Sequence, residues 1–231
     1  MIELHSFPTP NGLKVSIFLE EAGVEHRVVP VNIRRGDQFK PEFLAISPNN
    51  RIPAIVDTDP ADGGEPVSVF ESGAILVYLA NKYESFFGRP GDMRSRMQVF
   101  EWLFWQMGGL GPMLGQNGHF NIYAPEKIPY AIDRYVNESK RLYGVLDKRL
   151  EDREFMADEY SIADMACYPW VVAHEAHKIS LVDYPHVKAW FARIGSRPAV
   201  QKTYAEKDTL YGDLSAPMTD EERAKLFGLK K

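Results

Sequence analysis

Strand signals stop at residue 70. The runs "MIELHS", "HRVVPVNI", "PAIVD" and "PVSVF" all lie before that point, and beyond residue 86 every apolar-periodic segment repeats at helical spacing. A chain divided in this way cannot be a single sheet layered throughout, nor one helical bundle. It needs a mixed α/β unit followed by an all-α unit.

Within the first unit, apolar Val15, Phe18, Leu19 and Ala22 recur at helical spacing after the turn "FPTPNG", and Gly23 ends the run. "ESGAILVYLANKY" gives a second helix, with Ser72 expected as its N-cap. The order is β-α-β-(short helix)-β-β-α. Two strands separated by a helix favour a parallel pair, and two joined by the turn "TDPADGGE" favour an antiparallel one. This is the layout of a thioredoxin fold. Pro30 marks an edge or bulge position. "ESFFGRPGDMRSR" reads as a linker. Helices are expected over about 92–112, 126–151, 162–177 and 185–196. Ser161 with Asp164 forms an acidic capping box, and Thr219 with Glu222 forms another in the polar tail. The expected organisation is a thioredoxin-like domain at 1–86, an all-helical domain at 92–204 and a C-terminal tail at 205–231.

Composition narrows the function. The chain is 45% hydrophobic and 26% charged with a net charge of −5, an ordinary globular balance that argues against a nucleic-acid partner. No apolar run reaches the length of a membrane span, and the N-terminus lacks the basic and apolar segments of a signal peptide, so a cytoplasmic location is expected. Cys167 is the one cysteine. It excludes an intrachain disulfide, a Cys-x-x-Cys pair and a Cys-rich zinc site. Thiol chemistry therefore requires a thiol brought in from outside, unless Cys167 is exposed. His174 and His177 in "HEAH" lack the spacing of a zinc protease motif, and no metal is expected.

Three short stretches carry candidate chemistry, each with a plainer alternative. In "PTPNG" the turn can be no more than a helix cap, with Asn11 capping. Alternatively, the Thr9 hydroxyl, the Asn11 amide and the N–H groups of the new helix converge as donors that favour a thiolate over a thiol. In "NNRIPAIVD", Pro53 can simply mark a strand boundary. In a thioredoxin layout a cis Pro53 would instead turn the Ile52 backbone outward to pair with a peptide-like ligand. In "FESGAI", Glu71 and Ser72 can be a cap. They can also hold the two charges of an α-amino-acid end, the helix N-terminus and Ser72 taking the carboxylate and Glu71 the ammonium. The Gly-rich "QMGGLGPMLGQNGHF" is not a P-loop. It reads as close helix packing or a helix break, with Trp102, Trp105 and Phe120 available to line a pocket.

With "RIPA", "ESGAI" and "SIAD" in order, the chain resembles a cytosolic glutathione transferase over residues 1 to about 204, and "PTPNG", "ISPNNRIPAIVD", "ADGGEP", "FESGAI", "LFWQMGGLGPMLGQNGHF" and "IPYAIDRY" together resemble the bacterial nu class. The resemblance implies a thioredoxin-like domain plus an all-α bundle, and glutathione-dependent disulfide-bond reductase activity. It implies that no Tyr, Ser or Cys of the protein activates the glutathione sulfur, a role falling to Thr9 and Asn11. Glu71 and Ser72 would hold the γ-glutamyl end, Ile52 would pair with the cysteinyl backbone before cis Pro53, and Arg51 and Gln38 would lie toward the glycyl end. Arg134 would reach a glutathione carboxylate from the second subunit of a homodimer. Arg51 stands where Lys is also seen in that class. The co-substrate is glutathione, reduced or oxidised, and the second substrate a small disulfide or an electrophile. A transferase that conjugates electrophiles and a non-catalytic glutathione-binding protein are the alternatives.

Overall fold

The structure is a computed structural model that describes residues 1–212 and 218–227, apart from the side chain of Asp208. The chain divides into two compact units, one built from 1–83 together with the segment from Pro198 onward, the other from 84–197.

The first unit holds a four-stranded sheet in the order β2-β1-β3-β4, made of β1 (Ile2–Ser6), β2 (His26–Pro30), β3 (Ala54–Asp57) and β4 (Val67–Phe70). β1 pairs parallel with β2 and antiparallel with β3, and β3 pairs antiparallel with β4. The parallel pair is the one separated by helix α1 (Pro10–Glu21), and the hairpin is the one joined by the Gly- and Asp-rich turn, as connection length requires. Pro30 ends β2, an edge strand, where its missing N–H leaves no ladder bond unmade. The short helix α2 (Pro41–Leu44) seats Phe43 against Val31 and Ala54, with Ile46 and Ile52 packed alongside.

α1 carries buried residues around much of its circumference, among them Leu13, Val15, Ile17, Phe18 and Leu19. A helix apolar on more than one face is covered on more than one side. Here the covers are α3 (Ser72–Lys82) and α9 (Pro198–Tyr211), which packs along it. Phe7 meets the Tyr211 ring edge-on at 6.0 Å, and Lys202 reaches Glu20 at 2.8 Å. α9 is thus built into the first unit, and the expected boundary at 204/205 falls inside it. The expected tail lies partly outside the described residues. Its helix, α10 (Asp220–Phe227), starts at the predicted box: Glu222 Oε2 accepts from Thr219 N at 2.7 Å and Thr219 Oγ1 from Glu222 N at 3.2 Å.

The second unit contains α4 (Met93–Trp105), α5 (Gly111–Gly118), α6 (Pro129–Arg149), α7 (Ile162–Val171) and α8 (Pro185–Gly195). Residues 84–92, read from sequence as linker, are instead packed here. Phe87 is buried against Phe100, and Phe86 O accepts from Ile162 N at 3.0 Å. Charge and glycine concealed the two phenylalanines that anchor the segment. The Gly-rich stretch does not break the helical path; it threads through π-helical turns at Gln106–Leu110 and His119–Tyr123 on either side of α5. The Ser161–Asp164 capping box is present as expected. Asp164 also accepts from Met156 N at 3.0 Å and from Trp190 Nε1 at 2.9 Å, tying α7 to α8. Burial pushes its carboxyl up to about 6 against the pull of these donors. His177 is buried, and desolvation lowers its imidazole to about 4. Among the described residues, no helix is long and apolar enough to cross a membrane.

Candidate functional site: one end of the mixed sheet

Strand register decides which loops meet. His5 pairs with Ala54, and Ala54 pairs with Phe70. The residues that come next, Phe7 after β1, Pro53 before β3 and Glu71 after β4, therefore share one end of the sheet. Adjacent strands are ~4.8 Å apart, so these three chains span roughly 10 Å, the reach of an extended tripeptide. β2 runs parallel to β1, so the segment carrying Gln38 also leaves from this end.

The first turn of α1 starts at Thr9, not at Asn11. Thr9 is the N-cap, its Oγ1 accepting from Gly12 N at 3.4 Å, and Pro10 and Asn11 are the first helical residues. Pro10 carries no N–H to leave unpaired and its φ suits a first turn. Because Thr9 Oγ1 acts as the cap acceptor, its own hydrogen is left to serve as a donor. The helix starts hard against the strand end. A Cβ on Gly12 would lie 2.2 Å from Phe7 O and 2.4 Å from Ser6 Oγ, so only glycine admits this approach.

α3 begins one residue earlier than expected: Glu71 is the N-cap and Ser72 the first helical residue. Glu71 has φ 71° and ψ 116°, a left-handed backbone that costs a non-glycine residue of order 1–3 kcal/mol and clusters at ligand sites. Its side chain makes no cap bond. Asn49 Nδ2 donates to its Oε1 at 3.4 Å and holds the carboxylate outward. The first-turn N–H groups of α3 thus get no help from Glu71, which suits an anion. Ser72 is buried, and its Oγ accepts from the Lys14 ammonium at 3.2 Å.

Between the two helix starts, the Ile52–Pro53 peptide is cis. Among the described residues, neither the N–H nor the C=O of Ile52 has a hydrogen-bond partner. The exposed Arg51 is anchored through its carbonyl, which accepts from Ser47 Oγ at 2.8 Å. Gln38 is 3% exposed. Its Nε2 donates to Ile33 O at 3.3 Å, while its Oε1 is buried without a partner among the described residues. Its loop is organised by Asn32, whose N–H donates to Asp37 Oδ2 and whose Oδ1 accepts from Arg34 N, both at 3.0 Å.

Seven residues singled out from sequence therefore converge on this end of the first unit, together with Pro53. The other four lie in the second unit. Trp102 and Trp105 meet edge-on at 5.2 Å, and the Arg149 guanidinium lies over Trp102 at 5.3 Å. Phe120 stacks instead on Tyr135 at 5.5 Å. The three aromatics are thus two groups, not one cluster. Arg134 lies on α6 in a surface hollow of about 620 Å³ with Tyr130, Asp133, Glu138 and Arg141. Cys167 is fully buried in α7. Lys14 and Asn49 were missed. A lysine beside an apolar stripe reads as solvent-facing, and a loop asparagine reads as a turn residue; no periodicity marks either as part of a site.

Residues 1–81 match the family described as Glutathione S-transferase, N-terminal domain, and residues 121–198 match Glutathione S-transferase, C-terminal domain. The chain is 59% identical over 200 residues to the disulfide-bond oxidoreductase YfcG of Escherichia coli (strain K12), covering 86% of this chain and 92% of that one. A glutathione transferase from Pseudomonas putida, solved with one glutathione disulfide bound per subunit, superposes with a TM-score of 0.83 at 45% identity, over 87% of this chain and 90% of that one. One from Burkholderia graminis, with two glutathione molecules bound per subunit, superposes with a TM-score of 0.81 at 45% identity, over 87% and 86%. Two helix starts and an unpaired backbone segment at one end of a β2-β1-β3-β4 sheet, the helical second unit and these matches lead to one conclusion: this chain belongs to the glutathione S-transferase family.

Proposed function

We propose that this protein is a glutathione-dependent disulfide-bond reductase in which glutathione supplies the reactive sulfur. The observation that carries the reading is the state of Cys167. It is the one cysteine of the chain and it is 0% exposed, while the turn at the site holds neither Cys nor Tyr. A site equipped for a peptide thiol and lacking a thiol of its own has to borrow one. The nu-class assignment is part of the same reading and rests on "PTPNG" and "FESGAI".

Each part of the site has a task. The start of α3, with Ser72, takes the γ-glutamyl carboxylate, and Glu71 takes the ammonium beside it. Ile52 pairs through its backbone with the cysteinyl residue as an added strand. Gln38 and Arg51 lie toward the glycyl carboxylate. The Thr9 hydroxyl, the Asn11 amide and the positive end of α1 stabilise the sulfur as thiolate. A free thiol near pKa ~8.5 is only a few per cent ionised at pH 7, and each unit of lowering needs ~1.4 kcal/mol, within reach of two or three donors.

The thiolate attacks one sulfur of a small disulfide. A bond forms between the two sulfurs, the old S–S bond breaks, and the departing sulfur leaves as a thiolate and is protonated. A second glutathione thiolate then attacks the mixed disulfide at its glutathione sulfur, releasing the second thiol and oxidised glutathione. Two glutathiones are oxidised and one disulfide becomes two thiols. The binding of one glutathione disulfide or two glutathiones per subunit in the relatives fits a site wide enough for both tripeptides.

The test is turnover of a small symmetric aliphatic disulfide by glutathione, followed as oxidised glutathione formed. A rate well above uncatalysed exchange, and above the rate of conjugation with an aryl halide, is expected. Faster conjugation makes the protein a conjugating transferase. Tight glutathione binding with no turnover of either makes it a binding protein.

A further inference from the structure

We infer that Asn49 is a positioning residue for the α-ammonium of glutathione, acting through Glu71. The inference rests on the reading above that Glu71 takes that ammonium.

Glu71 is exposed, but its backbone is fixed from both sides. Phe70 before it pairs with Ala54 in the sheet, and its own carbonyl accepts from Ile75 N at 2.9 Å to open α3. What remains free is the side chain, whose torsions let an exposed carboxylate sweep a wide arc. Among the described residues, one side chain reaches it: Asn49 Nδ2 donates to Oε1 at 3.4 Å. At that length the bond is weak, so it selects a direction for the carboxylate more than it stabilises the fold.

Asn49 is itself held still. The stretch "SPNN" is a turn closed by Asn50 N donating to Ser47 O at 2.9 Å, with Pro48 and Asn49 as its central pair. Pro48 fixes one central φ, and Asn50 takes φ 49°, a left-handed value that asparagine tolerates. Ser47 is 0% exposed. Its N–H donates to Phe43 O at 2.9 Å and its Oγ to Arg51 O at 2.8 Å. The turn is thereby tied to the core around Phe43 on one side and to the Ile52 segment on the other.

The kind of donor matters as well as its place. A carboxylate has about four acceptor positions; Asn49 occupies one and leaves the rest for an ammonium. A lysine or arginine there would form an ion pair and cancel the charge that attracts the ligand. A neutral amide orients that charge without neutralising it. Because the same turn leads into Ile52, the ammonium acceptor and the peptide-pairing backbone are presented at one fixed spacing.

Binding is measured by calorimetry for glutathione and for its analogue lacking the α-ammonium (glutaryl-cysteinyl-glycine). Asn49→Ala is expected to weaken glutathione about fivefold and the analogue less than twofold, with KM raised and kcat at saturating glutathione kept. In a Glu71→Gln background the same substitution is expected to cost less than twofold. Asn50→Gly keeps the left-handed turn backbone and is expected to leave the preference for glutathione over the analogue unchanged. Equal losses for both ligands, full additivity with Glu71→Gln, or an equal effect of Asn50→Gly overturns the role of Asn49 while leaving the glutathione site standing. An unaltered protein that binds both ligands equally well overturns the roles of Glu71 and Asn49 together.

Discussion

At the residue scale the chemistry depends on where hydroxyl and amide hydrogens point. Thr9 does two jobs with one oxygen, accepting from Gly12 N and keeping a hydrogen to donate. Replacing both Thr9 and Asn11 with Ala is expected to lower kcat/KM for disulfide reduction by about 10²-fold at pH 7, each lost donor weighing on the order of 1.4 kcal/mol. The sign of the pH effect follows. Fewer donors raise the bound thiol's pKa toward ~8.5, so the deficit narrows as pH rises. A deficit constant with pH would show that these residues do not tune the sulfur. Thr9→Ser keeps both the cap and the donor and is expected to retain most activity, whereas Thr9→Ala also gives up about 1 kcal/mol of helix capping.

At the element scale the site is held by what anchors the sheet and α3. Asp57, at the far end of β3, accepts from Lys82 Nζ at 2.5 Å and from Tyr78 Oη at 2.7 Å, both on α3. Burial acts to raise the Asp57 carboxyl, but Lys82, Tyr78 and the Asp59 N–H outweigh it and hold it below the usual carboxylate range. A carboxyl depressed in the folded state stabilises it above the unfolded value of ~3.9, and that stability is lost as pH falls through the folded value. Asp57→Asn is expected to cost roughly 3 kcal/mol at pH 7 by breaking a buried pair. Urea midpoints of the two proteins are expected to converge below about pH 4. A gap that persists into strong acid would remove the Lys82 pair from the stability of α3.

At the scale of the whole molecule the open question is assembly. Arg134 belongs to the second unit, on α6, and we propose that it completes the glutathione site of the other subunit in a homodimer. Sedimentation equilibrium is expected to give twice the 26.3 kDa chain mass. Arg134→Ala is expected to raise KM for glutathione about tenfold, the scale of a charge-assisted carboxylate contact. Mixing that variant with the Thr9→Ala/Asn11→Ala variant creates hybrid dimers, each with one site whose residues are all intact. Recovered low-KM activity is expected on mixing, and none would confine Arg134 to its own chain.

The division into a mixed-sheet unit and a helical one was legible because side-chain periodicity is a local property. Residues two apart share a strand face, and residues three and four apart share a helix face, whatever lies across from them. Capping boxes at Ser161 and Thr219 were legible for the same reason, since both partners sit within one turn. Strand order and register brought Thr9, Ile52 and Glu71 to a single end of the sheet, and that convergence became visible only in three dimensions. So did the use of α9 as a cover for α1, the packing of 84–92, and the separation of Phe120 from the two tryptophans. Lys14 shows the difference most plainly. In sequence it is one charge on a helix, and only the approach of α3 sets its ammonium beside Ser72. Local chemistry dictates what each segment can form, but the partner across a long loop is chosen by burial and packing, which no short window of sequence contains.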